Sequence, residues 1–470
     1  MLNDWLILMR QELGLVILIL LLLFLKLGKE RSNAFLLNLI HAALFINLLL
    51  GFVYFEKGGE LFGGIYASGP FLTVVKSILN LALLLISLQS HAWLSKHDHL
   101  IEFYLLLLTS LLGMDLMISS NSLLLFYLGL EMSTIPIAAA ANFDLKKRHA
   151  AEAAFKLIIS SAFSSGLLLL GISFFYGATG TLSIDIASRF ITHEPLLILS
   201  FVLILAGLGF KISAVPFHWW TADVYEGSPV AVTAFLSVIS KSAVVYVLLA
   251  FLFRIFNPIA DVWVAVLSVL SVLTITIGNL FAIRQDNIKR LMAFSSIAQV
   301  GFILVAVMTG SVQAVVAVIF FLLVYVFSNL AAFGVIAVIA AQTGKEKIAD
   351  YAGLSRSNPL LAWVLAIALF SLAGIPPTAG FFGKFFLLME GAAKGNYLVV
   401  GIAAANMVIS FYYYLRLVKV MFMDDDDASM EAVKVPWVSK LSLYICVAGI
   451  LLTGVVGVVY DKLFVLISGN

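Results

Sequence analysis

Apolar residues in this chain do not alternate or stripe; they run in long blocks separated by short polar connections. A helix needs about 20 mostly apolar residues to cross a bilayer. Blocks of that kind recur at 6–27, 34–55, 71–90, 100–118, 122–142, 152–176, 195–215, 229–251, 261–283, 290–309, 313–341, 360–391, 397–422 and 439–464, numbered below as spans 1 to 14. The pattern predicts an all-α integral membrane protein of about fourteen transmembrane helices. The first block continues into the basic stretch KLGKERSN with no small-x-small cleavage site, so it predicts a retained helix rather than a signal peptide.

Two spans are interrupted by helix breakers at similar places. Span 7 reads FKISAVPFHWW and span 12 reads FSLAGIPPTAGFFGKFF, with Phe210 six residues before Pro216 as Phe370 is six before Pro376, which Pro377 follows. Proline removes a backbone donor and clashes with the preceding turn. Inside a membrane such a break survives only where protein or water satisfies the freed carbonyls, and matched broken spans point to an ion site in transporters built from repeats. Spans 7 and 12 lie five apart, and an odd-numbered unit repeated in tandem must invert. Spans 4–8 and 9–13 are therefore expected to form two inverted five-helix repeats. The domain limits that follow are 1–99 for spans 1–3, 100–256 and 257–423 for the repeats, and 424–470 for a cytoplasmic loop, including the run Asp424–Asp427, with span 14. Plain proline kinks remain the competing reading.

Composition narrows the chemistry. The 470 residues are 62% hydrophobic and 11% charged, too little polar surface for a soluble protein of this length. A net charge of +2 gives no nucleic-acid signal. The single cysteine, Cys446, excludes a disulfide framework and a thiolate-bound cluster or zinc site, and no metal site is predicted.

Seventeen of the 28 basic residues, among them Lys26, Lys146, Lys147 and Arg290, fall in one alternating set of loops, and six fall in the other set, which includes both ends. Basic residues favour cytoplasmic loops, so both termini are expected on the outer side. The remaining five, Lys76, Lys156, Lys211, Lys241 and Lys384, lie within spans. A lysine at a helix centre costs about 2.5–3.5 kcal/mol on insertion scales. Lys76 and Lys156 lie near helix ends, where snorkelling to the interface accounts for them. Lys211, Lys241 and Lys384 sit deeper and point to transport, with a structural ion pair as the alternative. Glu131, midway through span 5, needs a partner or a proton at that depth. Asp115, near the outer end of span 4, is read as interfacial. His218, just after the first break, is a possible relay or a satisfied loop histidine.

The stretch KISAVPFHWWTADVYEGSPVAVTAFLSVISK, Lys211 to Lys241, closely resembles the signature of the subunit N family of proton-pumping NADH:quinone oxidoreductases. YLGLEMSTIPIAAA around Glu131, GISFFYGATGTL after span 6, NIKRLMAFSSIAQVGF opening span 10 and GIPPTAGFFGKFF in span 12 extend the match to roughly residues 100–420. The resemblance implies an antiporter-like subunit of the enzyme's membrane arm in which Glu131 pairs with Lys211, Lys241 continues the path, and Lys384 reaches the outer side or the next subunit. It also implies that this chain binds no cofactor, with NADH, FMN, iron–sulfur clusters and quinone on other subunits, and that its partners are other membrane-arm subunits and lipid. Two positions depart from the pattern: Ala222 replaces the proline usual before DVYEG, and Gln299 stands where several relatives carry histidine.

Desolvating an amine and then supplying or withdrawing a carboxylate can change its proton affinity by about 4–7 kcal/mol. Moving one charge against about 200 mV takes about 4.6 kcal/mol. A lysine–glutamate switch therefore has the right size. The competing functions are a subunit of a cation/proton antiporter, against which DVYEGSP argues, and a non-pumping membrane scaffold whose charges only fix helix packing.

Overall fold

A computed structural model of the chain describes residues 2–29, 31–145, 147–423 and 432–468. Lys146 and the Asp424–Asp427 run lie outside the described residues. Among the described residues, the regular structure is helical apart from one short hairpin, Gly59–Leu61 against Tyr66–Ser68.

Among the described residues, twelve helices are long and apolar enough to cross a membrane. Two further segments separate this number from the fourteen blocks of the sequence. The helix Arg10–Leu27 carries Arg10, Glu12 and Lys26 within its 18 residues. Span 12 is cut into two helices of 15 residues each, Pro359–Ala373 and Ala379–Ala393. Many large apolar side chains face outward, including Phe24, Phe163 and Trp363. Such a surface suits lipid or subunit contact rather than water.

The chain divides into two units, each built from discontinuous segments. The first comprises Met1–Leu84, Leu94–Ile212 and Ile239–Trp263. Its tightest element is the helical hairpin of Leu100–Ile118 and Leu123–Ala141. Glycines set that approach: a Cβ on Gly113 would lie 2.6 Å from the Ser133 nitrogen, and one on Gly129 would lie 2.7 Å from the Gly113 carbonyl oxygen. Small residues allow such backbone contact where lipid provides no hydrophobic drive for helix association. Arg148–Thr179 and Pro195–Ile212 pack similarly, joined by Ser200 Oγ donating to the Gly171 carbonyl at 2.7 Å.

The second unit comprises Leu85–Trp93, Ser213–Val238 and Val264–Asn470. The 32-residue helix Val312–Thr343 is its spine, packed by Pro359–Ala373, Ala379–Ala393 and Trp437–Val455. The helix Ile288–Val307 is buried along nearly its whole length. At its start, Arg290 bridges Asp223 at 2.7 Å and Glu226 at 2.8 Å, while Lys289 meets Glu346 at 3.0 Å. The acidic residues of DVYEGSP are thus anchored on Arg290 of NIKRLM. The sequence pattern shows both motifs but not that they touch.

Candidate functional site

Spans 7 and 12 are both broken. Pro195–Ile212 ends at Ser213, whose φ is 64°, and helix resumes at Trp219–Gly227. Pro359–Ala373 ends at Gly374, φ 89°, and helix resumes at Ala379. The Val215–Pro216 and Pro376–Pro377 peptide bonds are cis.

Lys211 occupies the last turn before the first break and is buried. Its Nζ donates to Thr134 Oγ1 at 2.7 Å and to Ser161 Oγ at 2.9 Å. Thr134 lies on the Leu123–Ala141 helix, three residues after Glu131, so the carboxylate and the hydroxyl share one helix face. Glu131 is half-buried, its Oε1 has no hydrogen-bond partner among the described residues, and its charge acts on Lys211. The ammonium is therefore held by two hydroxyls beside a carboxylate that it does not bridge directly. Neither Thr134 nor Ser161 stands out in the sequence, where hydroxyl residues are common. The only available signal is helical spacing from Glu131.

Lys241 opens the helix Lys241–Arg254 directly after a π-helical turn, Leu236–Ser240, and is 2% exposed. Such turns are rare and concentrate at functional positions. The Lys241 helix packs against the one that ends with Lys211.

Lys384 follows a different logic. It lies in the helix after the second break and is 1% exposed. Its Nζ donates to the Leu372 carbonyl at 2.6 Å and the Ala373 carbonyl at 3.1 Å, and it sits 4.7 Å from the centre of the Phe302 ring. Those carbonyls terminate Pro359–Ala373, where the last turn has no intrahelical donors and carries partial negative charge. The freed carbonyls of the break are thus satisfied by a lysine. Ser371 Oγ, in the same turn, accepts from the Gly380 nitrogen at 3.1 Å and bonds Ser328 Oγ at 2.7 Å.

Gln299, in the position of the missing histidine, donates through Nε2 to the Leu372 carbonyl at 3.2 Å and to Tyr414 OH at 3.3 Å. It shares the Leu372 acceptor with Lys384, and Tyr414 OH in turn bonds Ser295 Oγ. A hydrogen-bonded group therefore occupies the site without an imidazole. His218 is buried within the first break, with its ring 4.8 Å from that of Trp219. Lys156 pairs with Glu152 at 2.7 Å on its own helix, its side chain 38% exposed. Among the described residues, no group of three or more His, Cys, Asp and Glu is placed to hold a metal ion.

The interfacial readings of two other residues do not hold. Lys76 is 1% exposed and bridges Glu12 at 2.6 Å instead of snorkelling. Asp115 is fully buried. In both cases the helices of the first unit close over positions that lie near span ends.

Residues 120–410 match the family model described as NADH:quinone oxidoreductase/Mrp antiporter, TM. NADH-quinone oxidoreductase subunit N of Phocaeicola vulgatus is 47% identical over 407 residues, covering 86% of this chain and 86% of that protein. The chain belongs to the subunit N family. A subunit N from Azobacteroides pseudotrichonymphae is likewise 47% identical, over 413 residues, covering 87% of this chain and 86% of that protein. A chain of respiratory complex I from Thermus thermophilus superposes with a TM-score of 0.83 at 30% identity, covering 96% of this chain and 99% of that one. A chain of the Mrp complex from a Dietzia species superposes at 0.86 with 20% identity, covering 98% of this chain and 96% of that one, a likeness of fold alone. Subunit N membership favours the NADH:quinone oxidoreductase reading over the cation/proton antiporter.

Proposed function

We propose that this subunit N translocates protons through Glu131, Lys211, Lys241 and Lys384, driven by redox chemistry on other subunits of NADH:quinone oxidoreductase. Lys211 is the controlled carrier and Glu131 its modulator. Lys241 is the central relay, and Lys384 the exit or inter-subunit station. The observation that carries this reading is the buried Lys211 ammonium, whose hydrogen bonds among the described residues go to the Thr134 and Ser161 hydroxyls, with Glu131 in electrostatic reach.

Hydroxyls suit a switch because each can accept from an ammonium or donate to a neutral amine. Moving Glu131 toward Lys211 favours the charged amine, and moving it away favours release. Lysine serves here because it is cationic in water yet readily neutral when desolvated. The broken helices around Pro216 and Pro376 supply irregular backbone that tolerates hydrated routes.

The same reading places the chain in the inner membrane with both termini outside, in a membrane arm alongside other antiporter-like subunits. The excess of basic residues in one set of loops supports that orientation. It also takes 100–256 and 257–423 as inverted repeats, supported by the paired breaks, each closed by a residue of positive φ.

Neutralising both groups, Glu131→Gln with Lys211→Ala, tests the function against the scaffold alternative. The assembled complex in closed vesicles is expected to lose NADH-driven proton translocation. Translocation preserved in that double variant would favour a scaffold.

A further inference from the structure

Spans 1, 3 and 4 hold a buried charged cluster that the Lys211 path does not use. Lys76 Nζ lies 2.6 Å from Glu12 Oε1, and Tyr66 OH donates to the same oxygen at 2.8 Å. Tyr66 reaches this point because the Gly59–Ser68 hairpin folds its ring inward, where it is fully buried. One turn along the Lys76 helix, Asn80 Nδ2 donates to the Lys76 carbonyl at 2.9 Å and, at 3.4 Å, to Asp115 Oδ2. Glu12 is 2% exposed, Lys76 1% and Asp115 0%.

The nearby Arg10 is directed elsewhere. It donates to the backbone carbonyls of Ile7, Leu50 and Gly51 and to Thr73 Oγ1. By direct contacts the cluster therefore pairs one ammonium with two carboxyls, with the Arg10 guanidinium in electrostatic reach of Glu12. Glu12 has the ammonium and the phenol. Asp115 has one long bond from an amide, and its Oδ1, like Glu12 Oε2, is buried without a partner among the described residues. An ionised carboxylate in that position would have one long amide hydrogen bond, one unpartnered oxygen and no direct ion pair, with the Lys76 ammonium already engaged by Glu12, and a group so placed takes a proton.

We propose that Glu12, Lys76 and Asp115 form a second proton-binding site, holding one proton on Asp115 beside an ionised Glu12–Lys76 pair. The bound ligand is a proton, exchanged between the two carboxyls as the position of the Lys76 ammonium dictates. The site stands on the first unit alone and does not depend on Lys211. Its link to that path is mechanical: Asp115 lies two residues beyond Gly113, on the helix packed against that of Glu131, which lies two residues beyond Gly129.

Infrared difference spectra of the intact complex in H2O and D2O test the site, with NADH-driven quinone reduction as the check on assembly. Asp115→Asn, which keeps an acceptor for Asn80, is expected to lose one D2O-sensitive carboxylic-acid carbonyl band. Loss of carboxylate bands alone would overturn the proposal. Two further variants should move the proton in opposite directions. Glu12→Gln leaves Lys76 in need of an anion, so the Asp115 acid band is expected to give way to carboxylate bands. Lys76→Met removes the cation, so a second acid band is expected to appear as Glu12 takes up a proton. A merely structural cluster would leave the acid bands unchanged in both variants, and that result would also overturn the proposal. The Lys211→Ala variant should retain the wild-type acid band, which separates this site from the path of the preceding section.

Discussion

The two helix breaks of this protein hold buried lysines in opposite ways. At the first, Lys211 stands on the N-terminal side of the break and donates to two side-chain hydroxyls, with the Glu131 carboxylate in electrostatic reach. At the second, Lys384 comes from the far side and donates to the carbonyls of Leu372 and Ala373. Carbonyls only accept, so they favour the ammonium form, whose charge-assisted donation is stronger than that of a neutral amine. Hydroxyls accept or donate, so they tolerate either form. A lysine fixed on a helix C-terminus is therefore tied to structure as well as transport. One lodged between hydroxyls beside a carboxylate can change protonation at low structural cost. The resemblance between the breaks lies in the backbone; the difference lies in what each lysine completes.

Substitutions at the two lysines should separate these roles, and the largest effect on stability is expected at the second break. Lys384→Met orphans the buried Ala373 carbonyl, worth about 1–3 kcal/mol, and leaves the Leu372 carbonyl to Gln299 alone. Thermal unfolding of the assembled complex should reveal a clear loss for Lys384→Met and much less for Lys384→Arg, which can still donate. If Lys384→Met were as stable as wild type, the carbonyl-capping role would be wrong.

At the first break the expected loss is functional. Lys211→Met should lower coupled turnover by about tenfold or more, equivalent to at least about 1.4 kcal/mol, with little change in unfolding temperature. Glu131→Gln should give a smaller fall in pumping, because the ammonium keeps both hydroxyl partners and loses only its modulator. Proton uptake measured beside quinone reduction distinguishes the two variants. A larger effect for Glu131→Gln than for Lys211→Met would reverse the assigned roles.

Thr134→Val, which removes one acceptor, should cost about 1 kcal/mol and weaken pumping modestly. The smallest contrast is in the backbone. Ser213→Gly relieves a left-handed residue, worth about 1–2 kcal/mol, but loses the 2.7 Å bond from Thr221 Oγ1. Its net effect on thermal stability should be near zero. Gly374→Ala should destabilise, since its φ is 89° and a Cβ would meet Met407 Cε at 2.7 Å.

The sequence makes the breaks and the lysines visible for a simple reason: proline and charge are conspicuous in apolar blocks. Their partners are not conspicuous. That Lys384 caps carbonyls twelve and eleven residues before it depends on how the chain turns back at Gly374, which no periodicity encodes. The Lys76–Glu12 pair joins residues 64 apart, on different spans. Depth along one helix suggested an interface for Lys76 and Asp115, but burial is decided by which helices close over them. Glu12, six residues inside the first apolar block, is the feature of the sequence that calls for a cation nearby. Span 12 reads as one block because its two halves are both apolar. Only the geometry shows two helices of 15 residues.

The central claim is that Lys211 carries a proton during turnover. The most direct test compares protons translocated per NADH oxidised by wild-type and Lys211→Ala complexes, both fully assembled, in sealed vesicles. A lower ratio in the variant is the predicted result; an unchanged ratio would contradict the account.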